Sequence, residues 1–408
     1  MKKAKYLILG AGPAGLTFAN RLKINGEKDF LVLEKEHEAG GLCRSVDVDG
    51  AAFDIGGGHF LDVRRPNVVD FLFQFMGEDE WNVYERDSRI ELADGAQVHH
   101  PIEANIWEMD IDKQVEQLVS ISKAGCNMGE KQPEKFIDWI YWKLGRQIAD
   151  EYMIPYNQKM FADELNDLGT YWLEKLPNVS FEETLKSCLT KKAYGTQPGH
   201  AKFYYPKKYG YGELWLRMAK NIENSIQYQA KVREVDFNTR IVTTQDGTKY
   251  QADKIITTIP WAEFESFVGI PDDFDANVDK LNHSAIETRY YADKLDTLAH
   301  WIYYPDTSVP YHRILVRHNF LDGSRGYWTE TRKERVAMFP AEDEKFTYLN
   351  EYAYPINTID KPKAIKYILD YAKTCDVYGL GRWGEHEHFN SDAVVERAMN
   401  LADELCKK

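Results

Sequence analysis

The chain is 408 residues long, enough for two or three domains and a sizeable core. Its net charge of −14 argues against general nucleic-acid binding, although a local arginine cluster can still hold an anionic ligand. With 43% hydrophobic residues, no apolar run of membrane-spanning length and five cysteines without a CxxC pair, the composition excludes a membrane-embedded or disulfide-framed chain.

The first predicted element is the strand Lys5-Tyr-Leu-Ile-Leu, which runs into Gly10, Gly12 and Gly15 and then an apolar helix. The basic start before it leads straight into this strand, so no secretory signal is expected and a cytoplasmic location is. The turn presents bare backbone N–H groups and a helix N-terminus to a pyrophosphate. Glu34 ends a second strand, Phe30-Leu-Val-Leu-Glu, where it can accept from a ribose hydroxyl. Strand, GxGxxG, helix, strand and acid in this order form a dinucleotide fingerprint.

Ala39-Gly40-Gly41-Leu42-Cys43-Arg44-Ser45 and Phe53-Asp54-Ile55-Gly56-Gly57-Gly58-His59 follow. Glycine pairs allow close approach of backbone to a flat ligand, and Arg44 can pair with a phosphate. This order resembles the large FAD family of amine oxidases, protoporphyrinogen oxidases and nucleotide-sugar mutases. The resemblance implies FAD, with NAD a poor second, and places Gly41, Arg44, Gly57 and Gly58 at the cofactor. His59 reads by itself as a structural histidine; the resemblance places it over the flavin.

Helical periodicity runs from about Ile106 to Leu189, through Val115, Leu118, Ile121, Phe136, Trp139 and Ile140. Ala230-Lys-Val-Arg-Glu-Val alternates like a strand. Arg240-Ile-Val-Thr-Thr and Thr248-Lys-Tyr form a hairpin about Asp246-Gly247, and Lys254-Ile-Ile-Thr-Thr-Ile-Pro is a buried strand. Shorter β-like runs follow, such as Leu298-Ala-His-Trp-Ile-Tyr-Tyr and Arg313-Ile-Leu-Val. Val377-Tyr-Gly-Leu-Gly381 and the helical pattern from Asp392 close the chain as strand, glycine turn and helix.

The expected fold is α/β. A discontinuous Rossmann-type FAD-binding domain comes from residues 1–85, 200–265 and 371–408. A helical substrate or lid domain covers 106–199, and an antiparallel-sheet domain is built from 86–105 and 266–370.

Four segments resemble those of UDP-galactopyranose mutases, in that family's order: Ile148-Ala-Asp-Glu-Tyr-Met-Ile-Pro-Tyr-Asn-Gln-Lys-Met-Phe, Ser308-Val-Pro-Tyr-His-Arg-Ile, Glu351-Tyr-Ala-Tyr-Pro-Ile-Asn and Gly381-Arg-Trp-Gly-Glu-His-Glu-His-Phe-Asn-Ser-Asp. The first is shared with oxidases; the middle two discriminate. The resemblance makes Arg313 and Tyr354 diphosphate-binding residues, with Arg313 beside the flavin. Tyr156, Asn157 and Phe161 belong to the nucleotide pocket by the same resemblance. It also puts Val232 near the adenine and Gly381, Arg382 and Asp392 at the flavin. His386 and His388 replace tyrosines of the terminal motif, so His386 is a substrate-site candidate. Taken alone, Arg313, Arg382 and Asp392 also read as salt-bridge partners, and Tyr354 as an ordinary half-buried tyrosine. A metal site at His386 and His388 is set aside, since no further ligand lies nearby in sequence.

The pattern breaks at Lys175-Leu-Pro-Asn-Val179, where the mutase family carries a closing arginine on a mobile loop. Lys175, Lys191 and Lys192 are substitutes to consider, and Lys175–Thr196 is the expected lid. The resemblance implies a mutase that interconverts pyranose and furanose sugars, with catalytic roles for His59 and Arg313. Reduced FAD (FADH2 or FADH−) would attack the anomeric carbon through N5, with loss and return of the nucleoside diphosphate. Expected partners are a nucleoside-diphosphate sugar and an external reductant such as NAD(P)H, with no nucleic acid, no membrane and a homodimer left open. The alternative is an FAD oxidase or dehydrogenase of the amine oxidase or protoporphyrinogen oxidase type; a non-catalytic flavin-binding protein is a third class.

Overall fold

Strand Lys2–Leu9 ends in four consecutive buried residues, as a central strand covered on both faces requires. Phe30–Leu33 and Lys249–Thr257 pair with it in parallel on either side. Ile226–Gln227 extends the sheet beyond Phe30–Leu33, and Val377–Gly379 joins Lys249–Thr257, also in parallel. An antiparallel hairpin of Val232–Asp236 and Ile241–Thr244 is added at the other edge, with Ser266–Val268 outside it. This Rossmann-type sheet is thus assembled from separated stretches of chain, as the sequence predicts. The computed structural model describes residues 1–173, 176–195, 201–337 and 343–407.

Helix Pro13–Ile24 starts with proline in its first turn, where a missing N–H costs nothing. It packs against the C-terminal helix Ser391–Cys406; Arg21 holds Asp403 at 2.7 Å, and the Tyr6 hydroxyl donates to the Leu405 carbonyl at 3.1 Å. The two ends of the chain therefore close one core.

The second sheet runs Phe346–Pro355, His283–Tyr291, Tyr327–Arg332, Arg313–Leu315, Trp301–Tyr303, Ser88–Glu91 and Gln97–His99. Its pairs are antiparallel except Trp301–Tyr303 with Ser88–Glu91. The single parallel pair departs from the purely antiparallel expectation. Ser88–Glu91 is far from its partner in sequence, so no tight turn fixes its direction.

The hairpin Ser45–Val48/Ala51–Asp54 joins the two sheets. Phe53 inserts among Tyr290, Trp328 and Phe346 with ring centroids 5.1–6.1 Å away. The fully buried Arg317 donates to the carbonyls of Val48 (2.9 Å), Ala51 (3.1 Å) and Arg325 (2.8 Å) and to the Tyr290 hydroxyl (2.6 Å). That set satisfies a buried guanidinium with neutral acceptors.

The helical insertion contains Ile111–Ser122, capped by Asp110, and Phe136–Ile148. Gly145 takes φ +72° where a Cβ would stand 2.6 Å from the Ser120 carbonyl oxygen, so only glycine lets these helices meet. A wide turn, Ala149–Met153, leads into Ile154–Met160. Lys159, fully buried there, donates to the carbonyls of Tyr304 and Asp306 at 2.7 Å each and pins this helix to the second sheet. No described helix is long and apolar enough to cross a membrane.

Candidate functional site

The parallel strands deliver Gly10, Glu34 and Thr258 to the wall of a cavity of about 340 Å³. Gly10 has φ +100°, and a Cβ there would reach within 2.5 Å of Thr258 Oγ1. Gly41 has φ +54°, and its Cβ would stand 3.1 Å from the Cα of Gly12. Bare backbone therefore forms a rim beside the first turn of Pro13–Ile24, whose N–H groups lack helical acceptors. Glu34 accepts from the amides of Ala11 (2.6 Å) and Glu36 (3.0 Å). Burial pushes its pKa up, and the carboxylate keeps lone pairs for a further donor. Arg44 donates to the Tyr348 hydroxyl (2.8 Å) and the Gly41 carbonyl (3.1 Å) at the same rim. Val232 also lines the cavity.

His59 also lines the cavity. Its ring stacks near Tyr211 at 6.2 Å, and its Nε2 is buried with no hydrogen-bond partner. Burial, reinforced by the Arg382 cation, lowers its pKa to about 3, so the imidazole is neutral at neutral pH. Arg382 lines the cavity too, with its guanidinium donating to the carbonyls of Phe389 (2.8 and 3.1 Å) and Ala353 (3.0 Å). A backbone cradle, a buried carboxylate and an imidazole with an orphaned nitrogen fit an elongated dinucleotide ending in a polar ring.

Gly15, Gly57, Gly58, Gly381 and Asp392 stand behind this surface. A Cβ on Gly15 would meet the Gly10 carbonyl oxygen at 2.0 Å, and one on Gly381 would meet Ala14 Cβ at 2.7 Å. Gly57 and Gly58 press on Glu330 and Leu315, where a Cβ would come within 2.5 and 2.0 Å. Asp392 holds Arg65 at 2.8 Å and is 3% exposed.

A second group of side chains lies beyond the His59 loop. Arg313 faces Glu330 directly across two antiparallel strands. Its Nη2 lies 2.7 and 2.6 Å from the Glu330 carboxylate oxygens and 3.5 Å from the Tyr354 hydroxyl, while its Nε is buried without a partner. Glu330 also accepts from the Gly58 amide at 3.2 Å, and His312 Nε2 lies 3.4 Å away. Burial would raise the Glu330 pKa, but Arg313 and His312 override it and hold the carboxyl at about 2. Burial, aided by Glu330, pushes the Tyr354 phenol up to about 12. Tyr156 packs on Tyr303 and His312 at 5.3 and 5.9 Å. Arg382 lies over the Tyr354 ring at 5.7 Å, which connects this group to the cavity.

Other predicted residues are placed differently. The Asn157 amide donates to the Met153 carbonyl at 2.7 Å. Phe161 is buried against Trp172 and His388. His386, 3% exposed, directs Nε2 to the Asn282 carbonyl at 3.0 Å, and burial drives its pKa to about 3. His388 instead lies 4.9 Å from the Tyr354 ring. Among the described residues no three His, Cys, Asp or Glu side chains gather as a metal site. Lys175 and Thr196 lie outside the described residues; between them Phe181–Thr190 is a helix with a Ser180–Glu183 capping box, followed by Lys191 as its left-handed cap.

The sequence reading did not single out Glu330, His312, Tyr303, Tyr348 or Arg86. Glu330 shows itself only through strand register, and Tyr348 only through the meeting of the two sheets.

A family model described as flavin containing amine oxidoreductase matches residues 13–285, about two thirds of the chain. A structure of reduced UDP-galactopyranose mutase is similar, with TM-score 0.87, 22% identity and coverage of 100% of this chain and 94% of that one. A fatty acid isomerase from P. acnes that produces CLA gives TM-score 0.69 at 14% identity, covering 98% of each chain. A putrescine oxidase double mutant gives 0.68 at 14% identity, covering 100% of each. At these identities the likeness is one of fold. An uncharacterized protein in the nifH2 3′ region of Methanothermococcus thermolithotrophicus is 48% identical over 52 residues, 13% of this chain. The match spans 49% of that relative's length.

Proposed function

The chain belongs to the family of flavin-containing amine oxidoreductases, and from that premise we propose that it is a flavin-dependent nucleotide-sugar mutase interconverting pyranose and furanose forms. Its cofactor is FAD. The observation that carries the mutase reading is the wall of Arg313, Tyr354 and Tyr156, tied to the His59 loop through Glu330. Hydride abstraction from an amine needs no such grip on an anion. A reaction in which a diphosphate leaves and returns does.

Reduced FAD supplies a nucleophile for the anomeric carbon in a reaction without net redox change. The residues of this chain divide the remaining work. The Gly10–Gly12 turn and the first turn of Pro13–Ile24 receive the cofactor's pyrophosphate, Glu34 its ribose hydroxyls, and Val232 flanks the adenine. Arg44, held by Tyr348, adds positive charge at the rim. His59, neutral at neutral pH, lines the cavity at the ring end. The partly exposed Arg313 guanidinium serves the departing diphosphate, and the Tyr354 phenol, protonated at neutral pH, donates beside it. Tyr156 supplies aromatic surface. The substrate is a nucleoside-diphosphate sugar, and a reductant of the NAD(P)H kind keeps the cofactor reduced.

Arg313→Ala tests this assignment. The variant should keep its full complement of FAD by absorbance while its affinity for UDP, measured by titration, falls by about a hundredfold, the loss of a charge-assisted contact. Unchanged affinity in the flavin-loaded variant would refute the site.

A further inference from the structure

Resting on the mutase reading, we propose that Glu330 and His312 couple anion binding at Arg313 to the uptake of one proton. The proton comes from solvent, lies between His312 Nε2 and Glu330 Oε2 while the anion is bound, and returns to solvent when the anion leaves. Glu330 stands where it competes with any anionic ligand. Its side chain is 1% exposed, and its two oxygens lie 2.7 and 2.6 Å from Arg313 Nη2. The guanidinium therefore carries a full buried counter-charge before a ligand arrives. Its own side chain keeps 19% exposure, which leaves an edge for phosphate. A diphosphate at that edge shares one positive charge with Glu330. Two anions about one cation repel strongly where water is excluded. A proton on the carboxylate's other neighbour removes the conflict.

His312 is placed to receive it. Its side chain is fully buried, Nε2 lies 3.4 Å from Glu330 Oε2, and neither ring nitrogen has a hydrogen-bond partner. Burial lowers its pKa, Glu330 opposes the shift, and Arg313 and Lys159 add to it, so the imidazole is neutral at neutral pH. When phosphates draw on Arg313, Glu330 regains affinity for a proton. A proton in the Nε2–Oε2 gap closes it into a charge-assisted hydrogen bond. The other groups around the pair cannot take this part. Burial keeps the Tyr354 and Tyr156 phenols protonated. Tyr303 accepts from Arg86 and Trp301. His59 stays neutral, held at about 3 by burial and Arg382, and Arg382 itself donates to backbone carbonyls. Lys159, brought down to about 7 by burial, also titrates near neutral pH, but it donates to the Tyr304 and Asp306 carbonyls and not to Glu330.

The test is calorimetric titration of the oxidised, FAD-loaded protein with UDP in two buffers of different ionisation enthalpy. The pH is about 8, above the ionisation of the terminal phosphate. Wild type should take up about one proton per UDP bound, and its affinity should fall by about tenfold per pH unit from about pH 7.5 to about pH 9. Glu330→Gln should take up none, bind UDP more tightly and show a flat pH profile, because nothing then contests the Arg313 charge. His312→Gln keeps an amide donor toward Glu330 but cannot hold the proton. It should also take up none, and bind UDP about tenfold more weakly than wild type near pH 7.5. Uptake that persists in Glu330→Gln belongs to Lys159 or a more distant group and overturns the proposal. Should Glu330→Gln fail to retain FAD, His312→Gln decides, and persistent uptake there overturns it equally. A wild-type protein that binds UDP without taking up a proton overturns the proposal and leaves the mutase reading standing. One that does not bind UDP overturns both.

Discussion

Glu330 is a single buried carboxylate that serves Arg313, His312 and the Gly58 amide at once. Its folded pKa near 2 lies below the ordinary value of 4.5, so its contribution is fully present above pH 4.5 and is lost as pH falls toward 2. Glu330→Gln should therefore destabilise the protein by about 3 kcal/mol at pH 7, the cost of leaving a buried guanidinium without its counter-ion. The difference from wild type should shrink as melts are repeated at pH falling from 4.5 through 2, below which the carboxyl is neutral in both the folded and the unfolded state. Asp54 acts in the opposite sense. Burial raises it to about 6 despite donors from Ser45, Tyr205 and the Tyr211 amide, so the hairpin that bears it is favoured below pH 3.8 and loses that favour as pH rises through 6. Asp54→Asn should narrow the loss of stability between pH 4 and pH 7, again by thermal melts, by about 1–3 kcal/mol. At this scale the sequence singled out residues embedded in local motifs, and the fold places Gly10 and Glu34 at the cavity and Arg313 and Tyr354 beside Glu330. It was silent on Glu330 and Tyr303, because their positions follow from register between distant strands.

The strand–turn–helix from Lys2 to Ile24 works only if helix and strand approach closely. A Cβ on Gly15 would lie 2.0 Å from the Gly10 carbonyl oxygen, so Gly15→Val must lift the helix away from the cradle. The purified variant should be soluble but colourless, retaining less than about a tenth of the flavin, since the helix N-terminus no longer meets the pyrophosphate. Full flavin content would show that this turn does not hold the cofactor. In the helical insertion, Gly145→Ala should lower stability by about 2 kcal/mol through strain at positive φ and a clash with Ser120, read from denaturant melts. Strong periodicity and turn residues made these elements legible. The parallel pairing of Ser88–Glu91 with Trp301–Tyr303 was not, because nothing local encodes a partner so far along the chain. His386 is placed otherwise than the resemblance implied: its place in the terminal motif made it a substrate-site candidate, while the fold turns its Nε2 to the Asn282 carbonyl.

For the molecule as a whole, a net charge of −14 coexists with a buried guanidinium at Arg317 and half-buried ones at Arg86, Arg313 and Arg382. Arg317 and Arg382 are used on backbone carbonyls, which fix the hairpin and the glycine turn around the cavity. Arg313 and Arg86 face the phenol-lined wall instead. The same scaffold accommodates oxidases and isomerases among the similar structures, so the choice between electron transfer and sugar rearrangement rests on that wall. The most direct test is to incubate the FAD-loaded protein with UDP-, GDP- and dTDP-hexopyranoses, either anaerobically with dithionite or oxidised in air, and to separate the nucleotide sugars by chromatography. The account predicts a furanose product from at least one of them in the reduced sample alone, with no oxygen consumed. Oxygen-dependent turnover of an amine, with every sugar nucleotide recovered unchanged under dithionite, would contradict it.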